Sequence, residues 1–153
     1  MAIYLVQHGI SVSREVDPDP GLSEKGRQEV QLIADVAASY NIRPEQINHS
    51  GKQRAGETAE IFHKTLNIKN EVSQIKGIKP LDDVASFTKH LDKNDGLMIV
   101  SHLPFLERLT AYMTSGNPDA TVFKFQNGGI VCLEHLPAPY AWVIKWALMP
   151  NIS

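Results

Sequence analysis

The chain has 153 residues, 42% hydrophobic and 21% charged, the proportions of one ordinary globular domain across residues 1–153. A formal net charge of −2 gives no electrostatic footing for nucleic acid or for an anionic membrane surface, and neither is expected as a partner. The single cysteine, Cys132, excludes a disulfide framework and a cysteine zinc site, and its apolar surroundings from Gly129 to Leu133 read as core.

The first stretch, Ile3-Tyr4-Leu5-Val6-Gln7-His8-Gly9, opens with four apolar residues in a row, as in a strand buried on both faces. Gly9 permits a tight turn out of it. His8 therefore ends a central strand, the edge where open α/β sheets carry ligand sites. With a strand starting so near the first residue, no export leader is visible, and no apolar run approaches the roughly 18 residues that span a bilayer. A cytoplasmic, reducing location is expected.

Asp17-Pro18-Asp19-Pro20-Gly21 is a loop. Ser23 can then cap a helix whose apolar face is Val30, Ile33, Ala34 and Ala37, running to about Tyr40. A weak strand at 46–50 ends in Ser50-Gly51. The helix that follows carries Arg54 in its first turn and Thr58 one turn later on the same side. An arginine is misplaced at a helix N-terminus on dipole grounds unless an anion binds there.

A short strand is expected around residues 71–72, and Asp82 or Asp83 can start a helix with Val84, Phe87 and Leu91 on its apolar edge. Either carboxylate suits a cap, and either could donate a proton. Leu97-Met98-Ile99-Val100 is a second fully apolar strand, and it too ends in a histidine, His102, with Pro104 placed to open a helix. Residues 121–125, 129–134 and 142–147 read as strands joined by short turns, hence antiparallel, so the sheet is mixed. Trp142, Ile144 and Trp146 alternate with Val143 and Lys145, the pattern of a strand with one wetter face.

Taken singly, a strand-end histidine or a helix arginine is an ordinary structural or surface residue. Together, His8, Ser50 with Arg54, and His102 gather two histidines, an arginine and a helix N-terminus at one sheet edge, which suits an anionic phosphoryl group. Two histidines can also hold a metal. No HExxH, His-x-His or carboxylate cluster supports that, and a nearby arginine repels a cation, so no metal or other cofactor is expected. His49, His63, His90 and His135 lack such a context.

Leu5-Val6-Gln7-His8-Gly9 resembles the Arg-His-Gly signature of the histidine phosphatase (phosphoglycerate mutase-like) superfamily. Leu22-Ser23-Glu24-Lys25-Gly26-Arg27-Gln28 is similar to the segment Leu-Thr-x-x-Gly-x-x-Gln that follows it there. Residues 50–59 resemble Ser-Pro-x-x-Arg-Ala-x-x-Thr-Ala, and Val100-Ser101-His102-Leu103-Pro104 matches the second-histidine motif of the small, SixA-type phosphohistidine phosphatases. The resemblance implies an α/β fold, a three-layer α/β/α sandwich with a mixed, mostly parallel sheet. It also implies metal-free phosphoryl transfer in which His8 attacks phosphorus while Arg54 and His102 neutralise the equatorial oxygens.

Backbone N–H groups near Leu103 would add to that cradle, and Ser11 would face it. The substrate would be a phosphorylated signalling protein or a small phosphorylated compound. Gln7 departs from the family, which has arginine there: one charge-assisted contact is lost, leaving a phosphate-binding module with weak or lost turnover as the alternative reading. Lys52 compensates in part if it reaches the pocket; a solvated lysine is the plainer reading. Gly51 replaces a proline. Glu15, Asp82 and Asp83 are the candidates for a general acid.

Overall fold

The computed structural model describes residues 2–92, 96–139 and 141–151. Its strands are β1 (Ala2–Gln7), β2 (Gln46–His49), β3 (Ser73–Gln74), β4 (Leu97–Ser101), β5 (Ile130–His135) and β6 (Trp142–Leu148). Its helices are α1 (Glu24–Ser39), α2 (Gln53–Leu66), α3 (Val84–Lys89) and α4 (Phe105–Ser115). The strands form one sheet in the order β3-β2-β4-β1-β5-β6, parallel from β3 to β1 and antiparallel from β1 to β6. This is the mixed, mostly parallel α/β sheet that the sequence implies.

The apolar runs of β1 and β4 follow from burial on two faces. Val6, Met98 and Val100 join Val30, Ile33, Phe62 and Leu66 in the core under α1 and α2. Ile3, Leu5 and Ile99 join Val84, Phe105, Leu106 and Leu109 in the core under α3 and α4. Cys132 is buried, as its neighbours suggest. Ser23 caps α1 by accepting the Gly26 N–H at 3.0 Å, and Asp83 caps α3 by accepting the Ser86 N–H at 3.0 Å. No helix among the described residues is long and apolar enough to cross a membrane.

Four local expectations are corrected. Residues 121–125 are not a strand: their alternation comes from Phe123 and Phe125, which meet edge to face at 5.4 Å and pack on the α4 side of the sheet. The short strand expected at 71–72 forms two residues later, as β3. In β6 the alternation is broken by a bulge, for Cys132 pairs with Trp146 but Leu133 with Ile144, so Lys145 is skipped. Trp142 and Ile144 thus face one core while Trp146 faces the other, its ring 6.0 Å from Tyr4. Gly9, finally, has no positive φ. It is needed for space, since an added Cβ would stand 2.7 Å from Val30 Cγ2 and 3.2 Å from the Gly26 carbonyl.

Gly26 makes the tighter approach. A Cβ there would lie 2.0 Å from the Ile10 carbonyl oxygen, which also accepts the Ser23 N–H at 2.9 Å and its hydroxyl at 3.1 Å. Helix α1 is thereby stapled, at a distance only glycine allows, to the chain two residues beyond His8. Gly26→Ala is expected to cost about 2–3 kcal/mol through overpacking, lowering the thermal midpoint by roughly 4–12 °C. Calorimetry checks this, and an unchanged midpoint would mean that the contact relaxes freely.

Candidate active site

Parallel pairing sets the site. Gln7 lies opposite Ser101, and the His8 N–H donates to the Ser101 carbonyl at 3.1 Å. The next residue of each strand end is a histidine, and the two rings stand side by side, 4.9 Å apart between centroids and inclined at 51°. The His8 carbonyl accepts from Asn127 Nδ2 at 3.0 Å and from the Gly128 N–H at 3.2 Å. The backbone beneath the ring is therefore held from β4 on one side and from the loop before β5 on the other.

The first turn of α2 closes the site. Thr58 Oγ1 accepts the Gly9 N–H at 3.0 Å and donates to the Arg54 carbonyl at 2.8 Å, tying the helix to the chain beside His8. From this turn Arg54 reaches back, its Nε–H donating to His8 Nε2 at 3.3 Å. On the other side of the ring, Nδ1 is 2.7 Å from the Gly9 carbonyl. A carbonyl only accepts, so Nδ1 carries the hydrogen and Nε2 presents its lone pair. That is the tautomer a nucleophile needs.

Burial keeps this ring neutral. Desolvation pushes the His8 pKa down to about 4, and the Arg54 charge adds to it against the opposing Gly9 hydrogen bond. His102, 2% exposed, is pushed down to about 3, first by burial and then by His8, Arg54 and Lys52. Its Nε2 lies 2.6 Å from Ser50 Oγ, and its Nδ1 is buried without a partner. Burial also lowers the Arg54 pKa, with a contribution from Arg14.

His8, Arg54 and His102 thus converge. Gln7 is 7% exposed, directly beside them in the chain, and its Oε1 is buried without a partner. Lys52 ends the loop before α2, with its charge acting on His102. Leu103 is half-buried at the start of α4, whose N-terminal end lies at this edge of the sheet. The Ser11 backbone forms a bridge with Leu22. Asp83 is spent on the α3 cap and held below the usual carboxylate range by Ser86, Asp82 Oδ2 accepts the Lys79 N–H at 2.8 Å, and Glu15 is exposed. Gly51 has φ +95°, which a proline ring locked near −65° cannot reach, so its loop is built differently from one carrying the family's proline. Among the described residues no three His, Cys, Asp or Glu side chains are grouped to hold a metal ion.

Three supporting contacts join residues far apart in the chain. Ser50 meets His102 across 52 residues, Thr58 meets Gly9 across 49, and Asn127 meets His8 across 119. Ser50 and Thr58 left local traces, Ser50 at the strand end before Arg54 and Thr58 on the same helix face as Arg54; Asn127 left none. Arg14, exposed in the loop after Ser11, was likewise invisible as a neighbour of Arg54.

Both histidines resist protonation in the folded chain, whereas in the unfolded chain they titrate near 6.5. Between those values the unfolded state binds more protons, so folding stability falls as pH drops from about 6.5 toward 4 and then 3. An imidazole NMR titration is expected to find both rings neutral at pH 6. Protonation of His8 above that pH would remove the free Nε2 lone pair.

A sequence model of the histidine phosphatase superfamily (branch 1) matches residues 3–79, about half of the chain. No curated protein is significantly similar to it in sequence. Among solved structures, the protein histidine phosphatase SixA complexed with tungstate superposes with a TM-score of 0.85 at 23% identity, covering 98% of this chain and 97% of that one. A protein assigned as the phosphohistidine phosphatase SixA of Agrobacterium tumefaciens gives 0.79 at 24% identity, covering 97% of each chain. Phosphoserine phosphatase of Entamoeba histolytica, in complex with 3-phosphoglyceric acid, gives 0.70 at 18% and 95% of each. These likenesses are of fold. The motif order, the paired histidines and the matching family model together place the chain in the histidine phosphatase superfamily, branch 1.

Proposed function

We propose that the protein is a metal-independent phosphohistidine phosphatase working through a phosphohistidine of its own. The observation that carries this is His8, neutral, with Nε2 free for attack, between Arg54 and His102. In the first step Nε2 attacks the phosphorus of a bound phosphoryl group, and the bond from phosphorus to the leaving group breaks. Arg54 moves its N–H groups from Nε2 to the phosphoryl oxygens, where the negative charge lies. In the second step water attacks the phosphorus, the N–P bond breaks, and inorganic phosphate leaves with His8 neutral again.

A bound anion offsets the Coulombic push of Arg54 and Lys52 on His102, which can then donate to an oxygen or take up a proton as phosphate arrives. The choice of substrate class rests on the leaving group. Asp82 and Asp83 are engaged in the turn and cap before α3 and Glu15 is exposed, so none of the three supports a built-in proton donor. An alkoxide needs such a donor, whereas an imidazole leaves more readily. A phosphorylated signalling protein carrying phosphohistidine therefore fits better than a phosphate ester, and a cytoplasmic setting fits that partner.

A phosphohistidine peptide is the deciding substrate. Wild type is expected to release phosphate and, after brief mixing with a labelled donor, to carry an acid-labile, base-stable adduct on His8. His8→Ala should abolish both, Arg54→Ala should lower kcat on the order of 10²–10³, and a chelator should change nothing. Hydrolysis that survives His8→Ala undiminished would sink the reading. Phosphate binding without turnover would make the protein a binding module instead, the outcome favoured by the uncharged Gln7.

A further inference from the structure

Three side-chain polar atoms among the described residues are buried without a hydrogen-bond partner: Gln7 Oε1, Glu29 Oε1 and His102 Nδ1. Glu29 stands apart on α1, with its other oxygen accepting from Asn151 at 2.9 Å. The other two belong to the ends of β1 and β4, where Gln7 pairs in register with Ser101 and the two histidines follow. A buried acceptor left unsatisfied costs free energy of a size that selection ordinarily removes, unless a ligand supplies the missing hydrogen. The nearest hydroxyl in register does not supply it, because Ser101 Oγ donates to the Ile78 carbonyl. An arginine at position 7 would offer only donors; glutamine offers donors at Nε2 and an acceptor at Oε1, and the acceptor is the atom left unpaired.

The second orphan is of the opposite kind. Ser50 Oγ accepts the Lys52 N–H at 3.4 Å, leaving its own hydrogen for His102 Nε2 at 2.6 Å. The ring hydrogen then sits on Nδ1, a donor in need of an oxygen. One acceptor and one donor thus lie unsatisfied at the paired ends of β1 and β4.

We propose that Gln7 is a specificity-determining residue that makes the site select phosphoryl groups still carrying a hydrogen, Gln7 Oε1 accepting from P–O–H while His102 Nδ1–H donates to an unprotonated oxygen. This rests on the phosphoryl reading above and refines it to the monoprotonated form. A phosphate monoester loses that last hydrogen with a pKa near 6, so the preferred species is plentiful at mildly acidic pH. A tetrahedral anion without hydrogen, such as sulfate, turns an oxygen toward the Gln7 oxygen and is disfavoured. A hydrogen bond to a charged group is worth about ten- to a hundredfold in affinity.

Inorganic phosphate and sulfate test this directly. At pH 8 both are dianions of the same shape, and only phosphate has a hydrogen. Calorimetric titration of wild type is expected to show phosphate bound at least tenfold tighter. Gln7→Met should bring the ratio to within about twofold, Gln7→Glu should keep it through its carboxylate oxygens, and Gln7→Arg should raise sulfate affinity and erase the preference. Equal binding of the two anions by wild type overturns the proposal, as does a preference that survives both Gln7→Met and Gln7→Arg. Because the wild-type comparison is decisive by itself, a variant that fails to fold does not rescue the idea. If neither anion binds, the phosphoryl reading itself fails and the selection with it. Binding with discrimination but without turnover leaves the inference standing and removes only the catalytic step.

Discussion

Everything at this site depends on the parallel pairing of β1 with β4, Gln7 opposite Ser101. Two strands that end in the same register deliver the residues after them to the same place, so the histidines meet without either being positioned by its own loop. The pairing is fixed because β1 and β4 bury both faces, Val6 and Val100 in one core, Leu5 and Ile99 in the other. A slip of one residue would exchange the cores and separate the rings. Asn127, Thr58 and the stapling of α1 to Ile10 then hold what the sheet has placed.

The chemistry of the site comes from two opposed effects of burial. Desolvation keeps both imidazoles neutral, which gives His8 its lone pair and stops the rings from repelling each other and Arg54. The same low-polarity surroundings strengthen the pull of Arg54 on any anion that enters. The site is therefore a row of neutral or cationic groups, and Asp19 is the acidic influence on Arg54, third among the causes acting on its pKa. The Arg54 to His8 hydrogen bond holds only until an anion supplies better acceptors.

His8, Arg54 and His102 were legible because each has a local signature: an apolar run that stops at a histidine, or an arginine in the wrong turn of a helix. The order of the helices and the antiparallel tail were legible for the same reason, since periodicity and turn residues are local. What escaped is non-local. The bulge at Lys145 is invisible to a pattern that continues unbroken through it, because the partner strand decides which residue is skipped. Residues 121–125 alternate like a strand, but β5, the strand that follows them in the chain, is already flanked by β1 and β6, and Phe123 and Phe125 pack on the α4 side of the sheet instead. Gly9 was read as a turn glycine when its cause is the side chain of Val30, twenty-one residues away.

Position 7 is where these constraints meet. A buried residue beside a cationic site can be a second cation or a neutral hydrogen-bonding group. A second guanidinium adds attraction for a dianion in ground and transition state alike, so much of its gain appears as binding. It would also add one more charge pressing on rings that have to stay neutral, next to Arg54 and within the field of Lys52. Glutamine avoids that repulsion. The remaining positive charge is left to Arg54 inside and to Lys52 and Arg14 at the margin, where water and salt screen part of it. A site so arranged trades raw attraction for anions against the ability to distinguish them by a single hydrogen, and a less highly charged phosphoryl group is the one it can hold without a second arginine.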